Sequence, residues 1–238
     1  MDIDRCITDD LSDIETSDLL DNLPNYFGNF GDFRNSAYLN WRFDSFTDLE
    51  VQFYNMGQAY FETSLALIDI CLENNSNKKA DIWIFPIMFN IVHGIEVYLK
   101  GFNSQYRIYE KLKKYEYEET KIEGKHNIKQ ICEVAIKLAK GNKDDHLLKE
   151  LTFIKRFIDI LYENTDDMAF ARYPITQKKA KQFFVEDTEN VAINLHVLKQ
   201  WVTRVFRILD TCTDFIDIQI DQIKEWLYEM QQEYRDNF

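Results

Sequence analysis

His93, Glu96 and Lys100 stand three and then four residues apart, a spacing that puts an imidazole, a carboxylate and an ammonium on one helical face. A carboxylate beside a histidine can orient the ring for acid–base work, and a lysine adds a cation able to meet phosphate. The trio lies inside an apolar run, 82–99 and its margin, where an unpaired charge costs on the order of several kcal/mol. Two readings follow. In the structural one, Glu96 pairs with His126 or Arg172 and fixes helix packing. In the functional one, His93, Glu96, His126 and Arg172 are catalytic groups facing a cleft, with Lys100, Lys121, Lys125 and Tyr173 as binding residues.

Other chemistries find little support. Neither standard Gly-rich phosphate loop is present, nor a Gly-x-Ser-x-Gly nucleophile motif. Cys6, Cys71, Cys132 and Cys212 are far apart, and with the four histidines they form no zinc-type set, so no metal and no cofactor are expected. The cysteines read as small buried hydrophobes. Arg156 and Asp159, three apart, read as an ion pair on a helix surface.

The elements that must position these residues are helices. Only 3 prolines and 7 glycines in 238 residues argue for long helices and few tight turns, against an all-β sandwich or barrel. With 45% apolar residues the chain has the material for a large core. The start MDIDRCITDD is acidic and lacks an apolar stretch, which reads against a secretory signal. Pro86, Asn90, His93 and Glu96 make 82–99 too polar to span a bilayer, so no membrane partner and a cytoplasmic location are expected.

Net charge is −13, concentrated as −9 in residues 1–50 and −6 in 210–238, leaving the middle at +2. That balance disfavours non-specific DNA binding. The basic residues between Arg107 and Lys125 could still meet RNA or a nucleotide.

Residues 1–46 read as an acidic, aromatic-rich extension packed on a helical domain, 47–238. Thr47 and Glu50 have capping-box spacing for a helix to about 72, with Phe53, Met56, Tyr60, Leu67 and Cys71 as its core face. A second helix over 79–100 closes at Gly101, with Pro86 at its start or kinking it, and a basic loop follows. A third opens at His126 or Asn127 and ends near 140–141; a fourth covers 144–162, with Leu147, Leu151, Ile154, Ile158 and Leu161 on one face. Segments 182–185 and 191–193 suggest a small β-hairpin. Asn194 then caps a helix of about forty residues, whose seven-residue rows Val202–Leu209–Ile216–Ile223–Met230 and Leu198–Val205–Cys212–Trp226, the latter with Gln219 as its one polar gap, suit bundle packing. Its acidic far end fits packing on a second subunit or on the N-terminal segment.

Three segments, in order, carry a family likeness. Phe85 to Gly101, containing His93, Glu96, Leu99 and Lys100, resembles the H-x-x-E-x-x-L-K helix of HEPN-like bacterial proteins. Gly124-Lys125-His126-Asn127-Ile128 resembles the entry to that group's next helix, and Ala171-Arg172-Tyr173-Pro174 its R-Y-P segment. The resemblance implies a mainly α, HEPN-like helical bundle, frequent homodimerisation and a place in bacterial defence or toxin–antitoxin systems. Many active members are metal-independent RNases with an R-x(4–6)-H motif. No arginine stands five to seven positions before any histidine of this chain, and lysine, as in Lys121 before His126, lacks the planar fork that suits phosphate. What the resemblance then implies is a catalytically degenerate module binding RNA, a nucleotide or a partner protein. The alternative is an active HEPN-type RNase or nucleotide-modifying toxin with a non-standard site.

Overall fold

The computed structural model describes residues 34, 37, 38, 48–114, 124, 126–165, 168–173 and 192–236. Within the unit Arg42–Phe238, five α-helices are described: α1 (Leu49–Glu73), α2 (Ala80–Leu112), α3 (Ile128–Gly141), α4 (Asp145–Asn164) and α5 (Leu195–Asp236). A 3₁₀ turn, Met168–Ala171, precedes α5. The protein is mainly helical, with no strand among the described residues. The extension 1–46 lies almost wholly outside those residues. So does most of the expected hairpin, while Ala192 and Ile193 are irregular.

α1 and α2 form an antiparallel hairpin whose close approach depends on glycine. A methyl at Gly57 would come 2.6 Å from Tyr98 Cδ2, and one at Gly101 would come 2.7 Å from Tyr54 Cε1 and 3.0 Å from Phe53 Cβ. Gly94 faces Tyr60 and Phe61 in the same register. Gly101 therefore does not end α2, as its type suggested; the helix runs eleven residues further, to Leu112, through part of the expected basic loop. Pro86 is tolerated inside α2. The carbonyl it strands is that of Ile82, and both residues are exposed, so water can take the missing donor's place.

The buried face of α1 is Gly57, Phe61, Ser64, Ile68 and Cys71, displaced from the expected one, and Met56 is exposed. The small residues carry the difference: Gly57 and Ser64 add nothing to an apolar count yet line the helix contact. Asp48 caps α1 by position without a side-chain bond, and Glu50 accepts from Ser104 Oγ at 2.6 Å; Thr47, the other half of the expected capping box, lies outside the described residues.

The remaining helices follow their signals. Asn127 Oδ1 accepts from Gln130 N, Asp144 Oδ1 from Leu147 N and Asn194 Oδ1 from Val197 N, each at 3.1 Å. On α4, Leu147, Leu151, Ile154 and Ile158 are fully buried. Arg156 pairs with Glu163 at 2.8 Å, while Asp159 takes Lys155, so the expected Arg156–Asp159 pair is replaced by two others. The apolar rows of α5 are buried as far as Ile216; beyond it Ile223 is half-buried and Trp226 and Met230 are exposed. Cys71, Cys132 and Cys212 are buried free thiols.

α2 is the central helix, packing on α1, α3 and α5. By length and composition it could cross a membrane, but 56% of its most apolar window is buried within the bundle. Asn103 Nδ2 donates to Ile131 O of α3 at 3.1 Å, and Tyr98 OH to Asp210 Oδ1 of α5 at 2.9 Å. Tyr54 OH donates to Gln105 Oε1, and Gln105 Nε2 to Asp217 Oδ1, which links α1, α2 and α5 in one chain.

Candidate functional site

α2 places His93, Glu96 and Lys100 on one face where it meets the start of α3. Glu96 and Lys100 are each only 7% exposed. A carboxylate and an ammonium so deep need each other, and Lys100 Nζ donates to Glu96 Oε1 at 2.9 Å. The same oxygen meets His126 Nδ1 at 2.8 Å. Glu96 Oε2 lies 3.7 Å from His93 Nδ1, too long for a good hydrogen bond and close enough for electrostatic attraction.

Burial pushes the Glu96 carboxyl upward. Its contacts with His93, Lys100 and His126 outweigh that and hold it down at about 2, so it remains ionised at any physiological pH.

The two imidazoles differ in setting. The His126 side chain is 82% exposed and sits one residue before the Asn127 cap of α3, so the helix entry fixes its backbone. His93 is held between rings: it stacks on Phe89 at 5.6 Å, and Tyr60 of α1 meets it edge-on at 4.7 Å. Sequence reasoning missed these two rings. Phe89 lies one turn before His93 on the same face, a signal that was available; Tyr60 comes into view only with the hairpin register.

A carboxylate on Nδ1 fixes the tautomer with that proton inward and turns Nε2 outward. An outward Nε2 can accept a proton when neutral and donate to an anion when charged. His126, at hydrogen-bond distance, has this arrangement; His93, at 3.7 Å, is only drawn toward the same carboxylate.

Of the expected partners for Glu96, His126 is present and Arg172 is not. Arg172 follows the 3₁₀ turn, with its N–H bonded to Ala169 O at 2.9 Å and its guanidinium over the Tyr173 ring at 5.6 Å. Both residues are exposed. Lys121 and Lys125 lie outside the described residues. No cluster of histidine, cysteine and carboxylate suited to a metal occurs among the described residues.

A cavity of about 260 Å³, lined chiefly by Met88, Phe157, Phe170, Leu198 and Trp201, lies apart from this cluster and holds none of its residues. The acid–base chemistry and this hollow are thus in different places.

Comparison of the chain with protein-family models, with curated proteins and with solved structures yields no match.

Proposed function

We propose that this chain is a HEPN-like helical module that binds RNA or a nucleotide through phosphate at the α2–α3 junction, without the arginine-dependent cleavage of that group. One observation carries the reading: a single buried carboxylate, Glu96, holds His126 by Nδ1 at 2.8 Å with the rest of that ring in solvent, and draws His93 Nδ1 to 3.7 Å. Lys100 balances Glu96, so protonating either histidine adds net positive charge at the surface. Arg172, whose guanidinium lies over the Tyr173 ring, is not part of the cluster. The setting in bacterial defence or toxin–antitoxin systems rests on the sequence resemblance alone.

The Nδ1 anchoring also favours a second reading, in which His126 acts as a general base on an RNA 2′-hydroxyl. Incubation of the protein with total RNA separates the two. Under the binding reading the RNA is retained and left intact, and His93→Ala and His126→Ala reduce retention. Cleavage that disappears in either variant overturns that reading in favour of the enzyme.

A further inference from the structure

One face of α2 is left uncovered by the bundle. Ile82 is 73% exposed and Phe85 37%, with exposed Pro86 beside them and half-buried Phe89 a turn further on. Positions 82, 85, 86 and 89 share a side of the helix, and one more turn reaches His93. No Asp, Glu, Lys or Arg interrupts α2 between Ile82 and Glu96. Since Phe89 already lies nearly parallel to the His93 ring, at 15°, the apolar track runs directly into the imidazole site.

We propose that this stripe is a base-stacking subsite, with Phe85 and Phe89 as its platform and Ile82 as its outer edge. Its occupant is a base of a single-stranded RNA segment whose phosphate lies at His93 and His126. The inference rests on the phosphate-binding reading above and adds the part of the ligand that is not charged. Base faces are flat, neutral and polarisable, and they stack on aromatic side chains with little regard to sequence. One helical turn, about 5.4 Å, separates the imidazole from Phe89 and Phe89 from Phe85, so neighbouring groups of one short ligand can meet all three. A protein partner fits less well. A stable protein interface buries roughly 1,200–2,000 Å² in total, and four side chains along about 10 Å of helix supply a small part of that.

The test uses the full chain and a fluorescein-labelled single strand of ten adenosine ribonucleotides, followed by fluorescence anisotropy. Inorganic polyphosphate, which has charge and no bases, serves as competitor. Phe85→Ala should weaken RNA binding about tenfold, the size of one lost stack, and leave the polyphosphate affinity unchanged. Ile82→Ser, at the most exposed position, should weaken it less; this variant keeps the test decisive should Phe85→Ala misfold. His126→Ala should weaken both ligands. Unchanged RNA affinity in Phe85→Ala and Ile82→Ser, with loss in His126→Ala, overturns the subsite and leaves the phosphate reading standing. Failure of the wild type to bind either ligand overturns both. A wild-type dimer in light scattering that Ile82→Ser converts to monomer assigns the stripe to a second copy and overturns the subsite as well.

Discussion

Glu96 Oε1 and His126 Nδ1 lie 2.8 Å apart across 30 residues of sequence, and this contact joins the middle of α2 to the segment that leads into α3. It also gives the buried carboxylate a second polar neighbour on the oxygen already used by Lys100. The candidate site and a packing contact are therefore the same object, and substitutions there act on both.

Removing the charge of Glu96 strands Lys100, which is 7% exposed. Glu96→Gln should lower unfolding stability by roughly 3–5 kcal/mol, the usual cost of breaking a buried pair on one side. Adding Lys100→Met should recover part of that loss. Urea denaturation of the single and double variants checks both, and a loss below about 1 kcal/mol in Glu96→Gln would mean that water reaches the pair.

The pH dependence carries a definite sign. Glu96 is held near 2 in the folded state against an ordinary 4.5, so its contribution is complete above pH 4.5 and lost as pH falls toward 2. The size is about 3 kcal/mol. Asp214 and Asp217 run the other way. Burial, together with Asp210 for Asp214 and with Asp221 and Asp214 for Asp217, raises both carboxyls. Their contribution is complete below their unfolded values and declines as pH rises through the folded ones. Asp214→Asn should thus raise stability at pH 7 by a few tenths of a kcal/mol, roughly the range of surface substitutions, and make no gain at pH 3. Thermal unfolding at the two pH values reads it.

Gly101→Ala should destabilise by about 1–3 kcal/mol, because the added methyl would meet Tyr54 and Phe53 at 2.7 and 3.0 Å. Gly141→Ala is the control. Nothing lies within 4 Å of a methyl there, at the end of α3, and the substitution should be neutral or stabilising by up to about 1 kcal/mol. Equal effects of the two would contradict the close α1–α2 approach.

How far the sequence could be read follows the kind of signal. Caps are local: Asn127, Asp144 and Asn194 mark helix starts that the structure repeats. Apolar rows are local too: α4 buries Leu147 to Ile158 of its expected face, leaving Leu161 half-buried, and the first half of α5 buries the residues its spacing indicates. Gly101 is the opposite case, since its meaning lies in Tyr54 and Phe53 on another helix. For the same reason the face of α1 was misplaced: Gly57 and Ser64 count for nothing until a partner helix is known. At the site, the His93–Glu96–Lys100 face was legible as helical spacing. His126 could be named as a partner by its chemistry and not told from Arg172, because only the path of the chain after α2 separates them.

Burial pushes the thiols of Cys132 and Cys212 up to about 12 and raises that of Cys71. In a Cys6→Ser background the folded protein at pH 8 should react with a thiol reagent at a small fraction of the rate seen after denaturation. Fast labelling of the native chain would contradict the burial of all three.

The central claim is that His126, anchored by Glu96, meets phosphate at the α2–α3 junction. Anisotropy of a labelled single-stranded RNA at low salt, for wild type and His126→Ala, tests it most directly. Intact RNA bound by the wild type, with affinity falling about tenfold in His126→Ala for one lost charge-assisted contact, is the expected result. Equal affinity in the two proteins, or RNA cut by the wild type and spared by the variant, contradicts it.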